Sequence, residues 1–114
     1  MIKILHNPEC TKSNCALDFL RNRKEVFEVI DYQQQRLSEQ EIEELLALLE
    51  LKPEELVRKN EAVFKEQFEG KAFSDKEWIR ILAENPILIQ RPIVISGHKA
   101  VIGRPIERVA ALLG

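Results

Sequence analysis

The sequence lacks the features that mark several large classes of protein. Two cysteines among 114 residues are too few for a disulfide scaffold, and no apolar run approaches the roughly 20 residues of a membrane span. The formal net charge of −2 offers no general attraction to nucleic acid or to an anionic membrane. Met1 is followed at once by a strand-like run rather than by a signal peptide. We therefore expect a cytoplasmic protein with no nucleic-acid partner and no membrane partner.

Metal-binding and dithiol motifs are also missing. His6 and His98 lie far apart, and neither pairs with a cysteine or a carboxylate at the spacing of structural zinc sites. The segment that begins at Cys10 has Ser13 where a C-x-x-C motif would carry its second cysteine. The sequence thus predicts no metal site and no tightly bound cofactor, and any redox chemistry at Cys10 must take its second thiol from another molecule.

The N-terminal third of the chain has the pattern of a strand, a helix and a second strand. Residues 2–6 and 26–30 are short apolar runs rich in β-branched side chains. Between them, the segment from Ser13 onward has apolar residues at helical spacing. The predicted inner face of that helix consists of Cys15, Ala16, Phe19 and Leu20. These three elements predict a right-handed βαβ unit.

The middle of the chain, at about 37–86, reads as a helical insertion. Ser38 with Glu41, and Ser74 with Glu77, match the capping box that begins a helix. In this motif a serine hydroxyl and a glutamate carboxylate each accept a hydrogen bond from a backbone N–H. The two motifs predict two helices within the insertion.

The C-terminal part returns to strands after Pro92. Two apolar runs around a turn at 97–98 predict a hairpin, and a helix with Pro105 at its first position closes the chain. The order βαβ, helices, ββα predicts an α/β fold with a mixed sheet, formed by one domain over residues 1–114.

Cys10 is the strongest candidate for a catalytic residue. It follows a strand and a loop broken by Pro8, and it precedes a helix whose free N–H groups and dipole favour a negative charge. A cysteine in such a position has its pKa lowered from about 8.5 into the range of roughly 3.5–7.5, which makes the nucleophilic thiolate available. Lys12 adds a positive charge nearby, and we expect His6 to face the same site. Cys15 is expected to pack in the core instead.

Three arginines predict an oxyanion pocket around the thiol. Arg91 and Arg104 flank the hairpin that should pack beside the first strand. Arg58 lies in the insertion, within the segment LVRKN at 56–60. A guanidinium binds tetrahedral oxyanions through two parallel hydrogen bonds. The alternative is that each arginine is a solvated surface charge, which is the ordinary state of this residue.

Five short motifs resemble the short form of the glutaredoxin-linked arsenate reductase (ArsC) family. They are HNPEC at 6–10, RKN at 58–60, NP at 85–86, QRPIV at 90–94 and GRP at 103–105. The resemblance spans nearly the whole chain. It implies a thioredoxin-like fold with a helical insertion, and a cis peptide bond between Arg91 and Pro92.

The resemblance also implies a mechanism. Cys10 would attack arsenate to form a thiolate–arsenic intermediate, while Arg58, Arg91 and Arg104 hold the oxyanion and His6 supports the site. Glutathione would be the co-substrate, and glutaredoxin would resolve the mixed disulfide. This sequence of steps is nucleophilic catalysis followed by thiol exchange.

Two other functions fit the same residues. Redox regulators of the Spx type, which bind RNA polymerase, use the same fold, although they typically carry a C-x-x-C pair where this chain has Ser13. A thiol-exchange protein that removes glutathione from its partners would use the arginines to bind the glutathione carboxylates. Both remain alternatives to the reductase.

Overall fold

A computed structural model describes residues 2–7, 11–103 and 106–113. The chain divides into two compact units. One combines Met1–Gln35 with Arg91–Gly114, and the other is Arg36–Gln90. The first contains the sheet, and the second contains most of the helices.

The first unit is a mixed sheet with two helices. Its elements are β1 (Ile2–Leu5), α1 (Thr11–Asn22), β2 (Phe27–Ile30), β3 (Ile93–Ser96), β4 (Lys99–Ile102) and a C-terminal helix, α5 (Glu107–Leu113). The strand order is β2-β1-β3-β4, with β1 parallel to β2 and antiparallel to β3. The predicted α/β class with a mixed sheet is therefore confirmed.

Alternation in the strands and a stripe on each helix build the core of this unit. In β1, Ile2 and Ile4 are buried while Lys3 between them is exposed, as expected when successive side chains point to opposite faces. The buried core cluster consists of Ile2, Ile4, Ala16, Leu17, Leu20, Val94 and Val109. The predicted hairpin is also present, because Ser96 pairs with Lys99 across a turn where Gly97 has a φ of +61°.

The prediction for Cys15 is wrong, because its thiol is exposed. The helix begins at Thr11, two residues earlier than expected, and its inner face carries Ser13, Ala16, Leu17 and Leu20. Phe19, which we placed with Cys15, is only half-buried, and the Arg23 guanidinium covers its ring at 5.7 Å from the centroid. Sharing a side of the helix with Phe19 therefore does not bury Cys15.

The second unit contains the two helices that the capping boxes predict, α2 (Glu39–Leu49) and α4 (Asp75–Glu84). It also contains a 3-10 turn (Pro53–Leu56), a short helix α3 (Ala62–Gln67), which the sequence patterns did not predict, and a second 3-10 turn (Pro86–Leu88). Both capping boxes are confirmed: Ser38 and Ser74 each accept from the backbone N–H three residues on, and the glutamate at that position accepts in return. No helix in the described part of the chain combines the length and the apolarity needed to cross a bilayer.

Apolar packing joins α2, α3 and α4 within this unit. Ile42, Leu45 and Leu46 form the buried stripe of α2. Trp78 of α4 stacks on Phe64 of α3, with ring centroids 6.3 Å apart. Burial of such aromatic and aliphatic surface is the main force that holds short helices together.

Candidate functional site

The strand register brings one end of each of the four strands to the same edge of the sheet. Leu5, the last residue of β1, lies beside Ile30 at the end of β2 and opposite Ile93 at the start of β3. Ile93 in turn pairs with Ile102, the last residue of β4. The residues that extend these four strands at this edge are His6, Asp31, Pro92 and Gly103. Functional side chains commonly occupy loops at the ends of strands, and this edge is the candidate site.

The predicted site residues divide between this edge, the second unit and the undescribed positions. His6 and Arg91 belong to the segments that meet at the edge. Cys10 and Arg104 lie outside the described residues; in the sequence, Cys10 directly precedes α1 and Arg104 directly follows Gly103. Arg58 belongs to the second unit.

A buried polar network joins the end of β1 to the first turn of α1. The Nδ1 atom of His6 lies 2.6 Å from the hydroxyl oxygen of Ser13. The same oxygen accepts a hydrogen bond from the backbone N–H of Asn7 at 3.0 Å. All three residues are buried, with Ser13 at 0% exposure. Ser13 therefore links two segments that flank Cys10 in the sequence.

The environment of His6 favours its neutral imidazole. Burial away from water is the largest effect and lowers the pKa of His6. The negative charge of Asp31 and the contact with Ser13 raise it by less, and the positive charge of Arg21 has the smallest effect and lowers it. A backbone hydrogen bond from His6 N–H to the Ile30 carbonyl at 2.9 Å fixes the main chain at this point. The imidazole of His6 is thus mostly neutral near neutral pH.

Pro92, which follows Arg91, packs tightly against Gly103 at this edge. Arg91 is buried, with 7% of its surface exposed, and the expected cis bond to Pro92 is confirmed. The backbone N–H of Gly103 donates to the Pro92 carbonyl at 2.8 Å. A Cβ at Gly103 would lie 3.0 Å from Cγ2 of Val109 and 3.1 Å from Cγ of Pro92. Only glycine fits there without moving its neighbours.

Arg58 is held by main-chain bonds and by an ion pair. Its backbone N–H donates to the Leu88 carbonyl at 2.6 Å. The N–H of Gln90 donates to the Leu56 carbonyl at 2.9 Å, so two short extended segments run side by side. An Nη of the Arg58 guanidinium lies 2.8 Å from a carboxylate oxygen of Glu61. The side chains of this pair are 21% and 22% exposed, so both are mostly removed from water.

Comparisons with known proteins agree on one family. The model of the ArsC family matches residues 5–112. The chain belongs to the ArsC family. It is 33% identical to the arsenate reductase of Neisseria meningitidis over 98% of this chain and 97% of that protein. It is 35% identical to the uncharacterized protein YfgD of Escherichia coli, over 99% and 97% of the two chains.

A solved structure with the same fold supports the assignment. The arsenate reductase from Vibrio cholerae superposes with a TM-score of 0.92 at 36% identity, covering 96% of this chain and 95% of that one. This ArsC chain therefore has the thioredoxin-like fold that its motifs implied. Within the ranges that the structure describes, no cluster of three histidine, cysteine or acidic side chains could hold a metal ion.

Sequence reasoning missed two residues of this ArsC protein. Ser13 was noticed only as a missing second cysteine, yet it is the buried partner of His6. Glu61 was not singled out, although it pairs with Arg58. The spacing of an acid three residues after Arg58 is a signal for Glu61, because such residues approach each other in a turn or helix. No local pattern marks the contact of Ser13, which depends on how α1 packs on β1.

Proposed function

We propose that this ArsC protein reduces arsenate to arsenite through the thiolate of Cys10, with glutathione and glutaredoxin as the electron donors. The observation that carries the proposal is the strand register at the candidate site. It gathers the segment that leads to Cys10, the segment that leads to Arg104, and the buried Arg91 at one edge of the sheet. Relatives named arsenate reductase that match nearly the whole chain add support.

The proposed chemistry balances with two external thiols. The Cys10 thiolate attacks arsenic(V), a sulfur–arsenic bond forms, and one arsenate hydroxyl takes up a proton from solvent as its bond to arsenic breaks, so that it leaves as water. Glutathione then attacks the Cys10 sulfur, so that the sulfur–sulfur bond forms and the sulfur–arsenic bond breaks. The electron pair of the broken bond stays on arsenic, which leaves as arsenite. Glutaredoxin removes glutathione from Cys10 and restores the thiolate.

The arginines would stabilise negative charge during these steps. Arg58, Arg91 and Arg104 are proposed to bind the oxygens of arsenate and of the intermediate. Loss of one donor to such an oxyanion costs about 3 kcal/mol of transition-state stabilisation. His6, held neutral by its burial, is proposed to support Cys10. Because the cycle draws on reduced glutathione, we propose a cytoplasmic location.

The decisive test is a coupled assay of arsenate turnover. With arsenate, glutathione, glutaredoxin and glutathione reductase present, wild type should oxidise NADPH and release arsenite. The Cys10→Ser variant should not exceed the rate without protein, whereas Cys15→Ser, which changes an exposed thiol of α1, should retain activity. Equal rates for wild type and Cys10→Ser would refute the proposal.

A trapping experiment tests the electron donor. When glutaredoxin is omitted, arsenate and glutathione should leave one glutathione on Cys10, detected by mass spectrometry of the intact protein and of its peptides. The Cys15→Ser variant should trap the same species. A disulfide between Cys10 and Cys15 would instead indicate internal resolution and a different reductant.

Two further measurements test the alternative functions. Removal of glutathione from a glutathionylated peptide, without any arsenate turnover, would favour the thiol-exchange alternative. Arsenate-independent binding to purified RNA polymerase would favour the regulator.

A further inference from the structure

We propose that Glu61 is a positioning residue that orders the Arg58 guanidinium for the oxyanion. The inference rests on the proposed function, because it assumes that Arg58 binds arsenate. It assigns a role to an acidic residue next to a site for an anion, where simple charge reasoning would expect repulsion. The observations behind it all lie within the unit Arg36–Gln90.

The Glu61 side chain is directed at Arg58 rather than at its own helix. Glu61 is the N-cap residue of α3, a position where a side chain ordinarily accepts a hydrogen bond from the first turn. It makes no such bond. Its carboxylate lies instead 2.8 Å from an Nη atom of Arg58.

The pair differs from the other ion pairs of the same unit in its burial. The Lys59–Glu54 pair, at 2.7 Å, has side chains that are 52% and 55% exposed. The Arg80–Glu84 pair, at 3.7 Å, is more exposed still. Exposed pairs of this kind contribute little, because water screens them and both side chains stay mobile. The Arg58–Glu61 pair has less than half of that exposure, so its geometry is better defined.

The main chain around Arg58 is already fixed, which leaves its side chain as the variable part. Hydrogen bonds from Arg58 N–H to Leu88 O and from Gln90 N–H to Leu56 O hold the backbone. The Gln90 side-chain amide adds a bond to the Glu55 carbonyl at 2.7 Å. A long arginine side chain on this rigid base still has many rotamers. One contact from Glu61 restricts them while the other guanidinium N–H groups remain as donors.

Ordering the side chain in advance lowers the cost of binding. Immobilising a flexible side chain on binding costs about 0.5–1.5 kcal/mol, which corresponds to about a two- to tenfold change in affinity. Glu61→Ala should therefore raise the KM for arsenate by about two- to tenfold, with a smaller change in kcat. Glu61→Asp, which keeps the carboxylate charge that pairs with Arg58, should restore part of the loss, whereas Glu61→Gln, which removes that charge, should resemble Glu61→Ala.

The matched control is Glu54→Ala, which removes the same charge from an exposed pair in the same unit. Its KM should equal that of wild type. A lower KM in Glu61→Ala would mean that Glu61 competes with the oxyanion for Arg58, and it would overturn the proposal. An unchanged KM with a lowered melting temperature would mean a purely structural role and would also overturn it.

A second measurement does not depend on turnover. In protein labelled with 15N, the side-chain Nε–H signal of Arg58 should exchange with water faster in Glu61→Ala than in wild type, and Glu54→Ala should match wild type. Equal exchange in wild type and Glu61→Ala would refute ordering by Glu61. If wild type turns over no arsenate, the proposed function fails and the part of this inference that concerns the oxyanion fails with it. The exchange rates would still decide whether Glu61 orders Arg58.

Discussion

The Nδ1 atom of His6 lies 2.6 Å from the hydroxyl oxygen of Ser13, and both residues are buried. His6 directly follows β1, and Ser13 lies in the first turn of α1. Cys10 stands midway in the sequence between Ser13 and Asn7, whose backbone N–H donates to the same oxygen. The contact therefore ties together the two described segments that flank the proposed nucleophile.

Ser13→Ala should destabilise the protein by about 1–3 kcal/mol, because it removes the acceptor of one buried N–H and the partner of a buried imidazole. The free energy of unfolding from urea denaturation measures this effect. A double-mutant cycle with His6→Ala tests the cause, since the two changes should be less than additive if the contact is responsible. Strictly additive losses would show that the two side chains are not coupled.

The stability of the protein should fall as the pH is lowered through 6.5. Burial lowers the pKa of His6 in the folded state from the ordinary value of 6.5, so below that pH the unfolded chain binds more protons than the folded one. The contribution of His6 is fully present above pH 6.5 and is lost as the pH falls toward the lowered folded value. Urea denaturation at a series of pH values checks this for wild type and His6→Gln, which should show a shallower dependence.

Gly103→Ala should destabilise the protein by about 1–3 kcal/mol, the usual cost of overpacking. The added methyl group would meet Val109 and Pro92 at 3.0 and 3.1 Å. Thermal and urea denaturation measure the loss. In the Val109→Ala background the same change should cost less, because one of the two close neighbours has been removed. An equal cost in both backgrounds would contradict the role of Val109.

Arg91→Lys should lower kcat/KM for arsenate by about a hundredfold, on the order of 3 kcal/mol, if Arg91 binds the oxyanion through a two-pronged contact. Lysine keeps the charge but loses the planar pair of donors. The coupled arsenate assay measures the effect, and Arg80→Lys, at an exposed position of α4, is the control. Unchanged kinetics in Arg91→Lys would exclude bidentate binding by this residue.

Local patterns predicted much of this fold correctly, because their causes act over a few residues. The capping boxes at Ser38 and Ser74 need only a serine and a glutamate three residues apart, and both formed as expected. The hairpin needed only a turn and two apolar runs, and the mixed sheet followed from the order of the elements. The cis bond before Pro92 came from family resemblance rather than from any local pattern.

Burial and long-range contacts required the folded chain. Cys15 lies among apolar residues at helical spacing, and this pattern predicted that it would be buried. The side of α1 that packs on the sheet is set instead by the positions of β1 and β3. The partnership of Ser13 with His6 likewise depends on packing between a strand and a helix, which spacing alone does not encode. Residue types and their order were thus enough for the element order and for the choice of candidate residues. Which side chains are buried together depended on the strand register and the helix orientation, because those are decided by contacts between residues distant in the sequence.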